Sequence, residues 1–238
     1  MISPWCNKDD DSKNSNPLPT AGCTGSTVTD IDGNTYNVVT IGNQCWMKQN
    51  LRTSKYRNGD IINNGLSNSS WQSTTSGAWA YYNDSSYHDQ IYGKLYNWYA
   101  VADPRDLCPT GWRVSDENDW NTLALALDSL SDVSCISCAQ SNIVGGEIKS
   151  IGTLQAGTGL WWSPNTGATN NSEFTALPGG IRFNNGVFFN RNVQGFWWSS
   201  TEINTDTAFV RDLTYNGSSF NRGFSEKHFG FSVRCIKD

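Results

Sequence analysis

The sequence predicts an α+β domain, with two or so helices in its first half packed on a twisted antiparallel sheet that closes the second, and with much of the chain in loops. Three observations carry this prediction. The run that follows Ser115 has helical periodicity, with Trp120, Leu123, Ala124 and Leu127 on one side. Beyond Gly145 no such period recurs. Short aromatic segments alternate there with Asn-Gly and Gly-Gly turns, which is the pattern of strands joined by hairpins.

The elements follow in chain order. Residues 1–20 form a polar segment with Pro17 and Pro19 and the acidic run Asp9-Asp10-Asp11, expected to be a flexible tether; residues 21–238 are expected to be a single globular domain. Thr27 to Ile41 reads as two strands around an Asp32-Gly33 turn, because Asp-Gly supplies the positive φ angles of a type I′ turn and β-branched residues flank it. Asp30, Asp32 and Asn34 would also open a calcium loop, but its twelfth position is Ile41, where a bidentate Glu is required. Residues 58–89 are too long for a bare loop, so they are expected to be an ordered excursion pinned by Trp71, Trp79, Tyr81 and Tyr82. Leu95 to Ala102 predicts a short helix with Leu95, Trp98 and Tyr99 on one side. Ser115 is placed as the cap of the clearest helix, with Asp116 and Glu117 at the positive end of its dipole. Strands are expected around Asn185-Gly186, at Phe196 to Trp198, at Ala208 to Tyr215 before an Asn216-Gly217 turn, and at Phe229 to Ile236.

Composition narrows the function. Charged residues are 16 %, the formal charge is −5, and no Lys/Arg run exists, so the electrostatic footprint of nucleic-acid binding is missing. Aromatic residues reach 13 %, with 11 Trp, far too many for a disordered chain. No apolar stretch approaches the ~20 residues of a membrane span. The 7 Cys stand at 6, 23, 45, 108, 135, 138 and 235. Only Cys135 and Cys138 form a C-x-x-C, no second pair follows, and His88 and His228 stand alone, so disulfides account for them better than zinc. Disulfides place the protein outside the cytoplasm. The odd one, Cys6, heads the run Asn7 to Ser12, which resembles the start of a mature lipoprotein of Bacteroidetes-type bacteria, lipidated at its first Cys and exported to the outer surface. Met1 to Trp5 is no signal peptide, and the other reading is a disordered acidic N-terminus with a stray Cys.

Ordered blocks along the chain carry a wider resemblance: TVTDIDGNTYNVVTIGNQCWMKQNLRTSKY, YGKLYNWYAV, LCPTGWRVSDENDW, SPNTGATNNSEFTALPGG, GFWWSSTE and GFSVRCIKD, running from Thr27 to Asp238. Together they resemble the Fibrobacter succinogenes major paralogous domain, a family abundant in surface proteins of Bacteroidetes and Fibrobacteres. The C-x-x-G-W-R block paired with the terminal G-F-x-V-R is also similar to the C-type-lectin and formylglycine-generating-enzyme group. This resemblance implies the C-type-lectin-like fold with an irregular, loop-rich ligand face. It implies a Cys108–Cys235 bridge, since helix start and last strand are neighbours in such a fold. Cys23 and Cys45 would then clip the N-terminal hairpin region. Cys135 and Cys138 are left to each other, the alternative being a redox pair, which normally sits at a helix N-terminus.

The function expected from these readings is a non-catalytic binding domain on the cell surface, with a glycan or extracellular protein as partner, no cofactor, no metal, and a membrane link only through a lipid on Cys6. The enzymatic relatives use a pair of reactive Cys near the end of the fold, and here only Cys235 stands there. No G-x-S-x-G elbow accompanies either His. Sugar sites need flat rings plus amides and hydroxyls, which Trp161, Trp162, Trp197 and Trp198 with Asn165, Asn170, Asn171 and Asn204 would supply, although alternation in Trp197-Trp198 sends at least one of the two inward. Ser163-Pro164-Asn165 lacks the acid of lectin calcium motifs. The second candidate region spans Asn204 to Ser225, a mix of rings and adaptable hydrogen-bonders typical of paratopes. Arg211, Tyr215, Asn216, Ser218, Phe220, Asn221 and Arg222 are placed on or beside the projecting turn, with the Arg211/Tyr215 side preferred because Tyr and Arg are enriched at hot spots. The other reading there is a solvated hairpin tip. The alternative for the whole chain is a structural subunit that self-associates into an extracellular polymer.

Overall fold

In the computed structural model, which describes residues 22–238, the chain opens with strands β1 (Thr27–Thr29), β2 (Thr35–Ile41) and β3 (Gln44–Met47) as an antiparallel meander. The expectations for residues 1–20, including a lipidated Cys6, fall outside the described residues. The hairpin forms, but its turn is longer than two residues: Thr29 lies opposite Thr35. The loop winds around the Asp30 carboxylate, which accepts from the Asp32 and Asn34 amides, from Asn34 Nδ2 and from the Tyr36 hydroxyl at 2.6 to 3.0 Å. Such side-chain closure of a turn is an Asp property, and it leaves Gly33 alone with positive φ, 83°.

The excursion over 58–89 is ordered and pinned as expected. Helix α1 (Asn68–Ser73), capped by Ser67, buries Trp71, and β4 (Trp79–Ala80) is followed by two 3₁₀ turns at 82–84 and 86–88. After α2 (Asp89–Tyr92), the expected helix over 95–102 is halved. Leu95–Tyr96 is strand β5, paired with β4, and only Trp98–Val101 is helical (α3). The reason is Asn97, whose side chain caps the Ala100 amide at 3.1 Å and so starts the helix late.

Strand β6 (Trp112–Val114) leads into α4 (Glu117–Leu127). Its cap is Asp116 rather than Ser115: Asp116 accepts from the Asp119 amide and Asp119 from the Asp116 amide, at 2.9 and 2.8 Å. Ser115 is buried just beyond β6, its hydroxyl donating to the Arg234 carbonyl. Trp120, Leu123 and Ala124 are fully buried and Leu127 packs beside them, as the periodicity requires. β7 (Cys138–Ser141) is followed by α5 (Val144–Ile148), a helix where none was expected. Its Gly145-Gly146 pair is poor in helix propensity and is there for packing. A Cβ on Gly145 would stand 2.4 Å from the Ser219 carbonyl, and one on Gly146 2.3 Å from that of Gly167.

The second half holds β8 (Ile181–Arg182), β9 (Phe188–Phe189), β10 (Gln194–Glu202), β11 (Thr207–Thr214), β12 (Phe220–Glu226) and β13 (Cys235–Lys237). The Asn185-Gly186 hairpin forms, with Gly186 at φ 84°. Neither Asn216 nor Gly217 has positive φ, so the β11–β12 connection is a wider loop and not a type I′ turn. Part of the expected loop region is strand β12, in register Arg211 to Arg222 against β11. The sheets run β1-β2-β3-β13-β6 and β10-β11-β12-β7. The fold is thus α+β and mostly sheet. One core gathers Trp46, Trp120, Trp161, Trp197 and Phe220, and a second gathers Tyr96, Trp98, Trp198, Phe231 and Val233. Three disulfides join Cys23 to Cys45, Cys108 to Cys235 and Cys135 to Cys138.

Candidate functional site

The structure divides the expected site residues. Arg211 is fully buried, and its guanidinium donates to both Glu117 oxygens at 2.7 and 3.1 Å. Phe220 and Trp198 are fully buried as well, Phe220 against Trp120 and Trp198 against Phe231. These three offer no surface to a ligand, which corrects the expectation of an Arg211/Tyr215 face. The physical reason is that β11 is covered on both sides, with Val210 in one core and Leu213 in the other. Arg222 is half-buried and turned inward, its Nε 2.6 Å from Glu117 and its Nη1 donating to the Val133 and Cys135 carbonyls. Asn221 Nδ2 donates to Asp212 at 3.0 Å, and Ser218 Oγ to the Asn142 carbonyl at 2.8 Å. Exposed Asn204 closes its own turn by accepting the Asp206 and Thr207 amides.

Trp162 and Tyr215 do come together. Trp161 points inward, its Nε1 donating to the Ala176 carbonyl, and its neighbour Trp162 is left 45 % exposed. The Trp162 amide donates to the Asn192 carbonyl at 2.7 Å and the Tyr215 amide to the Val193 carbonyl at 3.0 Å, so one short segment positions both rings. Their centroids are 6.2 Å apart with planes at 83°, an edge-to-face pair. Exposed Gln155, whose Oε1 accepts the Ser163 amide, exposed Thr166 and exposed Asn216 supply polar groups around this pair. Asn165 is not among them: it is buried and spends Nδ2 on the Ser150 and Gly152 carbonyls.

The rigidity of this surface comes from below. Lys149, fully buried, donates from Nζ to the carbonyls of Thr166, Thr214 and Gly217 at 2.9, 3.1 and 2.7 Å. One ammonium has three donors, and here they bind the segments on which Thr166, Tyr215 and Asn216 stand. Burial pushes this ammonium down from its ordinary 10.5 to about 8. Sequence reasoning missed Lys149, because a lone Lys after Ile148 looks like any solvated charge. It also missed Gln155, which meets Ser163, and Arg191, which meets His88 from 103 residues away.

A family model described as Fibrobacter succinogenes major domain matches residues 39–237. No curated protein and no solved structure matches the chain.

Proposed function

The chain belongs to the Fibrobacter succinogenes major domain family, and from that premise we propose that it is a non-catalytic, cell-surface domain that binds a glycan through the Trp162–Tyr215 surface. The observation that carries this reading is the exposure of Trp162 beside Tyr215, in a protein that buries Trp161, Trp197 and Trp198 completely. An indole kept rigid and half in water costs solvation that only a partner recovers, and a sugar's C–H faces fit flat rings while its hydroxyls take amides such as Gln155 and Asn216. Three disulfides suit an extracellular setting. We also read the fold as C-type-lectin-like. In support, β6, which precedes α4, pairs with the terminal β13 beside the Cys108–Cys235 bridge, and a long irregular stretch (149–180) carries the surface.

A glycan array probed with the wild type and with a Trp162→Ala, Tyr215→Ala double variant tests this. Bound glycans should be lost in the variant while it still unfolds cooperatively, with a stability loss of about 1–3 kcal/mol because Tyr215 is half-buried against the core. Undiminished binding by the double variant, or a wild type blank on every glycan, overturns the reading.

A further inference from the structure

We propose that the Trp162–Tyr215 surface continues into a carboxylate-binding subsite formed by Arg191 and His88, so that the saccharide it takes is an acidic one bearing uronate groups. This rests on the glycan-binding reading and names its substrate class.

Arg191 is the residue before Asn192, whose carbonyl takes the Trp162 amide. Asn192 is itself fixed, its Nδ2 donating at 2.7 Å to both the Tyr92 hydroxyl and the Leu160 carbonyl. The aromatic platform and the Arg191 guanidinium therefore stand on one rigid segment. The guanidinium lies over the rings of Tyr82 and Tyr92, at 5.1 and 5.9 Å from their centroids, which orients it without using its N–H groups. Of its five N–H donors, only those on Nη1 meet an acceptor among the described residues: the His88 ring, with Nε2 at 2.5 Å and Nδ1 at 2.9 Å.

Most other arginines among the described residues are matched, and Arg52 gives Nη1 to the Gln90 side-chain carbonyl. Arg57, Arg105, Arg113, Arg211 and Arg222 each face a carboxylate, and Arg182 and Arg234 spend their forks on carbonyls. Among the described residues, no carboxylate lies within ion-pair distance of Arg191. The two acids nearest in sequence to His88 turn elsewhere, Asp89 to Lys94 at 3.0 Å and Asp84 toward Arg182 at 3.9 Å. His88 turns both ring nitrogens toward the Arg191 guanidinium, and burial, then that charge, lowers its pKa. A half-buried, preoriented guanidinium with Nε and Nη2 unspent matches the planar fork of a carboxylate. Tyr87, 73 % exposed and 5.5 Å from the His88 ring, adds an exposed ring beside the cation. An exposed ring next to the cation suits the face of a pyranose unit.

The test is affinity electrophoresis of the whole protein in gels containing polygalacturonate, its fully methyl-esterified form, or poly-glutamate. The ester keeps the ring and linkage and masks the carboxylate. The wild type should be held about tenfold more tightly by polygalacturonate than by the ester, the scale of one charge-assisted hydrogen bond. Arg191→Gln should bring that ratio close to one, Arg191→Lys should restore only part of it because it lacks the fork, and Trp162→Ala should weaken both polymers alike. A ratio unchanged in Arg191→Gln overturns the acidic subsite while a Trp162→Ala loss leaves the binding surface standing. Poly-glutamate held as tightly as polygalacturonate would make the ligand an acidic polypeptide and overturn the saccharide assignment. A wild type held by none of the three overturns this inference, and the array above decides the broader reading by itself.

Discussion

Buried cations set this protein apart at the level of single residues. Arg182, Arg211 and Arg234 are all fully buried. Arg234 explains why. Its fork donates to the Asn50 side chain and to the carbonyls of Met47, Phe174 and Thr175 at 2.7 to 3.0 Å, and it lies over the Phe174 ring. Loop backbone that is buried has no ladder to satisfy its carbonyls, and leaving them unpaired is costly, so a many-donor side chain takes the place of a strand. Arg211 answers instead to Glu117, which also meets Arg222. Glu117→Gln removes the charge that both face, and breaking a buried pair from one side costs about 3–5 kcal/mol; a loss below about 1 kcal/mol in urea unfolding would contradict this account. Lys149 predicts a pH dependence. Its proton is released at about 8 in the fold, against an ordinary 10.5 in the unfolded chain. Between those values the unfolded state holds the proton and the folded state does not, so the contribution of this site to stability is least below pH 8 and rises as pH climbs toward 10.5. The difference in unfolding free energy between wild type and Lys149→Met should therefore shift with pH across that window in favour of the wild type. A difference that is flat from pH 7 to 10 would sink the assignment.

Among the elements, α5 shows packing overriding propensity. Gly to Ala inside a helix ordinarily gains about 1 kcal/mol. At Gly146 the added methyl meets the Gly167 carbonyl at 2.3 Å, a backbone atom that cannot swing away as a side chain would. Overpacking of this kind costs about 1–3 kcal/mol, so Gly146→Ala should destabilise, and a stabilised variant would show that the 167 loop yields freely. That loop carries Thr166, so glycan affinity should fall with stability. The β11–β12 pair makes a related point. Its register places Phe209 opposite Phe224 and Arg211 opposite Arg222, and like charges face each other there only because Glu117 lies against both.

Over the whole molecule, covalent closure compensates for irregular backbone. The Cys108–Cys235 bridge spans 127 residues and Cys23–Cys45 spans 22. On the loop-entropy model these closures stabilise by about 5 and about 3 kcal/mol. Replacing both Cys of the longer bridge by Ser should thus cost about 1–2 kcal/mol more than the same change at the shorter one. Thermal and urea unfolding of the two double variants measure the order, and a reversed order would mean that packing and not closure joins the ends of the fold. Thiol labelling of the oxidised protein should modify none of the six Cys at 23, 45, 108, 135, 138 and 235.

Local patterns were legible in the sequence wherever neighbours along the chain decide the outcome. The α4 stripe of Trp120, Leu123 and Ala124, the Asn185-Gly186 hairpin and the α+β order of elements all depend on spacing and backbone preference over a few residues. Side-chain direction was not legible. Trp161 and Trp162 are identical in type, and one is core and the other surface; Trp197 and Trp198 are identical too, and both are core. Alternation separates two faces only where one of them meets water, and β10 and β11 are covered on both. Arg211 could be buried only because Glu117, 94 residues away, arrives on α4 to neutralise it. The candidate site likewise depends on hydrogen bonds between remote segments, which hold Trp162 and Tyr215 to the segment of residues 192–193 and tie the loops beneath them to buried Lys149. A chain determines by itself what short-range sterics and periodicity settle; which charges are matched and which ring faces water depends on contacts that exist only once the sheets have closed.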